Sequence, residues 1–229
     1  MNIPRRTALF LLAELLGASA RAERAAPCAA APRVAEGAVK SASAAPLGSA
    51  CYGEREDAMH FADELAKSRG LDAARLREQL AQARYQASVV KLIKPPPAGI
   101  AKNWASYRSR FLQPKRIRAG VAFWNANEAW LKLAQERYGV PPSIVMGILG
   151  VETFYGQQMG RFRVIDALAT LAFDFPSGQR DRSDFFRDEL SEFFVFTQRE
   201  GMDPQALLGS YAGAMGMPQF MPSSRLKYA

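Results

Sequence analysis

The chain has 229 residues, 48% hydrophobic and 23% charged, with a formal net charge of +8. That is ordinary globular composition, at a length fitting one good-sized domain or two small ones. A lone histidine, His60, and two cysteines at no zinc-type spacing argue against a Cys/His metal site. With no Ser, Cys or Asp arrangement implied around it, His60 reads as a surface or packing residue rather than part of a nucleophilic triad. The basic balance suits an anionic partner, either anionic lipid met peripherally or a carboxylate-bearing cell wall, with solubility alone as the alternative. Nucleic acid is not expected, because no Lys/Arg run interleaves with aromatics in the pattern such binding uses.

Residues 1–22 read as a secretory signal. Arg5-Arg6 precede an apolar stretch from Thr7 to Leu16, and Ala18-Ser19-Ala20 or Ala20-Arg21-Ala22 offers a cleavage site. The stretch is too short to span a bilayer. An ordinary N-terminal helix is the alternative. Residues 23–50, rich in Ala, Pro and Ser, form a linker expected to be disordered. Cys28 is not read as a lipid anchor, since Ala25-Ala26-Pro27 lacks the required pattern, and a Cys28–Cys51 disulfide would close only a flexible loop.

Order is expected from about Cys51. Met59, Phe61, Ala62 and Leu65 predict a helix over 54–69 that stops at Gly70. Asp72 starts a second helix to about Arg84. Pro95-Pro96-Pro97 must be extended or turn. Trp104, Tyr107 and Phe111 share a helix face. A longer helical stretch runs over 117–138, with a break expected near Gly120 and an end at Gly139. Pro141-Pro142-Ser143 opens the next helix. An apolar helix follows over 166–173, then a polar loop over 176–183 and an amphipathic helix over 184–199. No useful β-alternation occurs, so the fold is predicted to be mainly α.

Two places carry chemistry. Glu152 closes the apolar run Ile144-Val145-Met146-Gly147-Ile148-Leu149-Gly150-Val151. Placed there it should be desolvated and hold its proton better than a surface Glu, as a glycosidase general acid must. A structural Glu within a helix bundle is the alternative. The block from Gly209 to Ser224 is rich in Gly and Met, lets backbone approach a ligand, and offers Ser210 and Gln219 to sugar hydroxyls and acetamides. A loop between packed helices is its alternative.

Together these segments resemble the lytic murein transglycosylases of the membrane-bound-B type, which have a lysozyme-like core. The matching pieces are Tyr138-Gly139-Val140-Pro141-Pro142, Gly150-Val151-Glu152-Thr153-Phe154-Tyr155-Gly156, Asp166 to Phe173, and Gly213-Ala214-Met215-Gly216 to Ser224. The resemblance runs from about Phe61 to Ala229 and implies a transglycosylase domain over 51–229. Its parts would be an N-terminal helical region over 51–138 and a partial catalytic core over 139–229.

The resemblance further implies cleavage of the β-1,4 bond between N-acetylmuramic acid and N-acetylglucosamine in peptidoglycan glycan strands, in the periplasm, leaving a 1,6-anhydromuramoyl end. Glu152 would be the single acid/base, with neither cofactor nor metal. Ser210 would stand beside the acid and Gln219 in the sugar subsites. Tyr155, where the family often has Trp, would stack on sugar. Arg180 or Arg182 would replace the adjacent arginines that meet the stem peptide. Family members continue beyond this end with a calcium-type Asp/Gly loop, so a C-terminal truncation is expected. A non-catalytic murein-binding protein is one rival reading. A hydrolytic muramidase is another, and it would need Asp166 or Asp174 as a second carboxylate.

Overall fold

The segment from Val164 to Ala172 is buried at every residue, and the main core of the described residues is built around it. The computed structural model describes residues 51–95 and 103–228. The signal, the linker and most of the Pro95-Pro96-Pro97 segment therefore lie outside the described residues. Cys51 is disulfide-bonded, and Cys28 falls in the undescribed part.

After a single 3-10 turn at Tyr52–Glu54, the helices are α1 (Glu56–Arg69), α2 (Ala73–Ala81), α3 (Ala87–Ile93), α4 (Trp104–Ser109) and α5 (Pro114–Ala126). They continue with α6 (Glu128–Tyr138), α7 (Pro142–Thr153), α8 (Val164–Phe173), α9 (Ser183–Arg199) and α10 (Pro222–Tyr228). The architecture is mainly α, as expected. Two two-residue strands add to it: β1 (Phe162–Arg163) pairs antiparallel with β2 (Leu208–Gly209), Phe162 opposite Gly209. Strands this short have no alternation for a sequence to display.

Local chemistry sets the boundaries. Asp72 caps α2 by accepting from the Arg75 amide at 3.1 Å. Gly70 and Gly139 end α1 and α6 in the left-handed region, at φ 66° and 70°. The break in the 117–138 stretch falls at Asn127, not near Gly120. The Asn127 amide bonds both Phe123 and Trp124 carbonyls at 3.0 Å, and its side chain returns to Phe123 O at 2.8 Å. Gly120 stays helical because it makes room: a Cβ there would stand 2.5 Å from the Tyr155 hydroxyl. Helix α3 was not foreseen; its one fully buried residue is Val89.

The main core joins α1, α2 and α3 to α8 and α9, with Leu65, Leu80, Val89, Leu168, Leu171, Leu190 and Phe193 at its centre. A smaller core of Phe123, Leu131 and Met146 holds α5, α6 and α7 together. Tyr155 and Met217 pack onto the smaller core, while Met215 belongs to the main one. The turn at 153–156 and the glycine block thus lie where the two cores meet. Among the described residues no helix is long and apolar enough to cross a membrane.

Candidate active site

Helix α7 is apolar all round in sequence but buried on one side only. Met146 and Thr153 face inward, while Ile144, Ile148 and Val151 are about half exposed. Glu152 stands four residues after Ile148, so the helical repeat places it on that open face. It is exposed, and it makes no hydrogen bond or ion pair with any described residue. The desolvation anticipated from the apolar run is therefore absent among the described residues. A run of apolar letters cannot say which of its faces is covered.

What is fixed is the backbone carrying the acid. Thr153 is completely buried. Its hydroxyl donates to Met217 O at 3.0 Å and accepts from the Gly156 amide at 3.0 Å. Phe154, Tyr155 and Gly156 follow at φ 51°, 57° and 84°, three left-handed residues in succession. Two of them carry Cβ atoms, a strained arrangement of the kind concentrated at functional sites. The amides of Phe154 and Tyr155 both turn back to Leu149 O, the latter at 3.0 Å. The Arg116 guanidinium donates to Gly150 O at 2.5 Å.

The glycine block is folded against this turn. The Ser210 amide donates to Ala214 O at 2.9 Å, and Met215 pairs with Phe220 at 2.8 and 3.1 Å. The Ser210 hydroxyl oxygen accepts from the amides of Ala214 (3.0 Å) and Ala212 (3.3 Å). Its own proton is given to no described residue. Gln219 sits at φ 52° and donates through Nε2 to Gly216 O at 2.9 Å and to Met159 O at 3.2 Å. Its carbonyl oxygen has no described partner. Two ties, Thr153 to Met217 and Gln219 to Met159, thus stitch the block to the turn after Glu152.

Tyr155 does not line an open wall. Its ring stacks on Phe123 at 5.6 Å, and its hydroxyl lodges against Gly120 and Gly150, so here it packs helices together. Arg180 and Arg182 are exposed on the loop between α8 and α9. Arg182 lies over the rings of Phe185 (4.6 Å) and Phe186 (5.5 Å). No described hydrogen bond connects either arginine to the Glu152 turn.

The two carboxylates a hydrolytic mechanism could have used are occupied. Asp166, 3% exposed, pairs with Arg163 at 2.6 Å and accepts from the Arg84 amide (3.0 Å) and Gln86 Nε2 (3.1 Å). Asp174 accepts from the Tyr52 hydroxyl and from Arg55, each at 2.6 Å. Burial, reinforced by that carboxylate, pushes the Tyr52 phenol far above its ordinary value. Both aspartates tie the N-terminal helices to α8. His60 is exposed and faces Glu64 at 3.5 Å.

Sequence reasoning missed Thr153, Met217 and Arg116. Thr153 had a usable signal, because it stands seven residues after Met146 on the inward register. Arg116 had none, since Lys115 and Arg118 beside it look the same.

Residues 53–229 match the family described as Transglycosylase SLT domain. The chain is 41% identical over 186 residues to membrane-bound lytic murein transglycosylase B of Escherichia coli K12, covering 78% of this chain and 50% of that protein. The E. coli lytic transglycosylase Slt35, solved with bulgecin A, is similar at 42% identity and TM-score 0.71, over 79% of this chain and 56% of that one. Soluble lytic transglycosylase SltB1 of Pseudomonas aeruginosa is similar at 43% and TM-score 0.71, over 76% and 57%. SltB3 of P. aeruginosa, solved with NAG-NAM-pentapeptide, is similar at 29% and TM-score 0.68, over 76% and 45%. The chain spans about half the length of the curated relative it matches.

Proposed function

The chain belongs to the SLT transglycosylase family, and from that membership we propose that it cleaves the β-1,4 bond between N-acetylmuramic acid and N-acetylglucosamine in peptidoglycan. Glu152 is the single acid/base. Its carboxyl proton goes to the glycosidic oxygen as that bond breaks. The resulting carboxylate takes the proton of the muramoyl 6-hydroxyl, whose oxygen attacks the anomeric carbon of the same sugar. A 1,6-anhydro ring forms and Glu152 regains its proton. No water is activated, so no second carboxylate is needed. The attacking hydroxyl is already in the molecule, which supplies proximity.

The observation that carries this reading is the stitching of the Gly209–Ser224 block to the Glu152 turn through Thr153–Met217 and Gln219–Met159. It ties the block that carries Ser210 and Gln219 to the segment that follows Glu152, which supports their serving one sugar cleft. Because Glu152 is open to water, the glycan strand itself covers it on binding. Arg180 or Arg182 reaches the stem peptide, residues 1–22 direct the protein to the periplasm, and the basic surface favours the anionic wall or a membrane surface. Digested sacculi should release anhydromuropeptides, seen by mass spectrometry, and Glu152→Gln should abolish that release. Equal release from the variant ends the assignment.

The exposure of Glu152 favours a second reading, a protein that holds glycan without cutting it. Sacculi that retain the protein but yield no soluble product would establish it.

A further inference from the structure

We propose that Arg116 is a positioning residue for Glu152, replacing a helix hydrogen bond that the last turn of α7 has given up. The inference rests on the transglycosylase reading. In a regular helix Gly150 O would accept from the Phe154 amide, four residues on. Here that amide turns to Leu149 O, and the Tyr155 amide goes to the same oxygen. Arg116, reaching across from α5, supplies the donor that Gly150 O lacks.

The same guanidinium lies 4.6 Å from the centroid of Phe154 and 5.3 Å from that of Phe111. It is a flat plate between two rings, and one N–H is aimed at the carbonyl two residues before the acid. Arg116 has no carboxylate partner among the described residues, so ion pairing is not what keeps it there. Glu152 has no partner of its own either. Where its side chain starts is therefore set by its backbone alone, and that backbone is held by Arg116 before it and by Thr153 after it. Small displacements of a catalytic group lower turnover steeply. Lysine would keep the charge and one donor but lose the plate.

The test compares wild type, Arg116→Ala, Arg116→Lys and, as a charge control, Lys115→Ala, whose ammonium lies 5.9 Å over the same Phe154 ring. Amide hydrogen exchange should be at least tenfold faster at Phe154 and Tyr155 in Arg116→Ala, with the α8 and α9 amides unchanged. Arg116→Lys should recover part of the protection, and Lys115→Ala should match wild type. On sacculi, Arg116→Ala should lose at least tenfold in kcat at constant KM. Unchanged exchange at Phe154 and Tyr155 overturns the proposal. So does full turnover in a variant whose turn has loosened. A wild type that releases no anhydro product defeats the functional reading instead, and the exchange measurement still decides whether Arg116 holds the turn.

Discussion

Replacing Thr153 by valine keeps the side-chain shape and removes one oxygen. That oxygen serves two backbone groups at once, the Met217 carbonyl and the Gly156 amide, each at 3.0 Å. An unsatisfied buried backbone group costs about 1–3 kcal/mol. Gly156 and Met217 are half-buried, which favours the low end for each. The expected loss is about 2–3 kcal/mol, or roughly 4–12 °C in Tm for a domain of this size. Thr153→Ser keeps the hydroxyl and deletes a methyl, for about 1 kcal/mol. Urea and thermal unfolding followed by circular dichroism would rank the three proteins. Valine within about 0.5 kcal/mol of wild type, or valine more stable than serine, would refute the role given to this hydroxyl.

Asp166→Asn should cost about 3 kcal/mol, because it removes one partner of a buried pair and leaves the Arg163 charge behind. Any product per folded molecule should keep its anhydro end, since Asp166 is bound to structure and does not activate water; a reducing end in the wild-type digest would contradict this. Tyr52 gives a pH dependence. Its folded-state phenol is raised by burial and by Asp174 above the ordinary value of 10.0. Its stabilising effect is then complete below pH 10 and is lost as pH rises beyond it. The slope is up to about 1.4 kcal/mol per pH unit. Urea midpoints from pH 8 to 11 should fall more steeply in wild type than in Tyr52→Phe; parallel curves would remove the claim.

Much of the fold could be read from spacing. The stops at Gly70 and Gly139, the cap at Asp72 and the apolar helix at 166–173 follow from local chemistry, and local chemistry is written in neighbouring letters. The break at Asn127 was misplaced because Gly120 looked like the weaker helix former, yet its missing side chain is needed for Tyr155, 35 residues on. Glu152 and the Gly209–Ser224 block stand out as candidates through their composition and family resemblance. The openness of Glu152 was not legible, because an all-apolar run hides which side is covered. Arg116 was not legible either, since its partner is a carbonyl, and every residue carries one of those.

The oxygen that fixes the residue after Glu152 finds its acceptor 64 positions further along the chain. A ribosome makes the acid-bearing helix long before it makes that acceptor, and domains assemble in the order in which they emerge. Until Met217 has been synthesised and folded back, the turn at 153–156 is held only by its own helix and by α5. The nascent chain therefore carries the turn after Glu152 without its C-terminal tie until that closure is made.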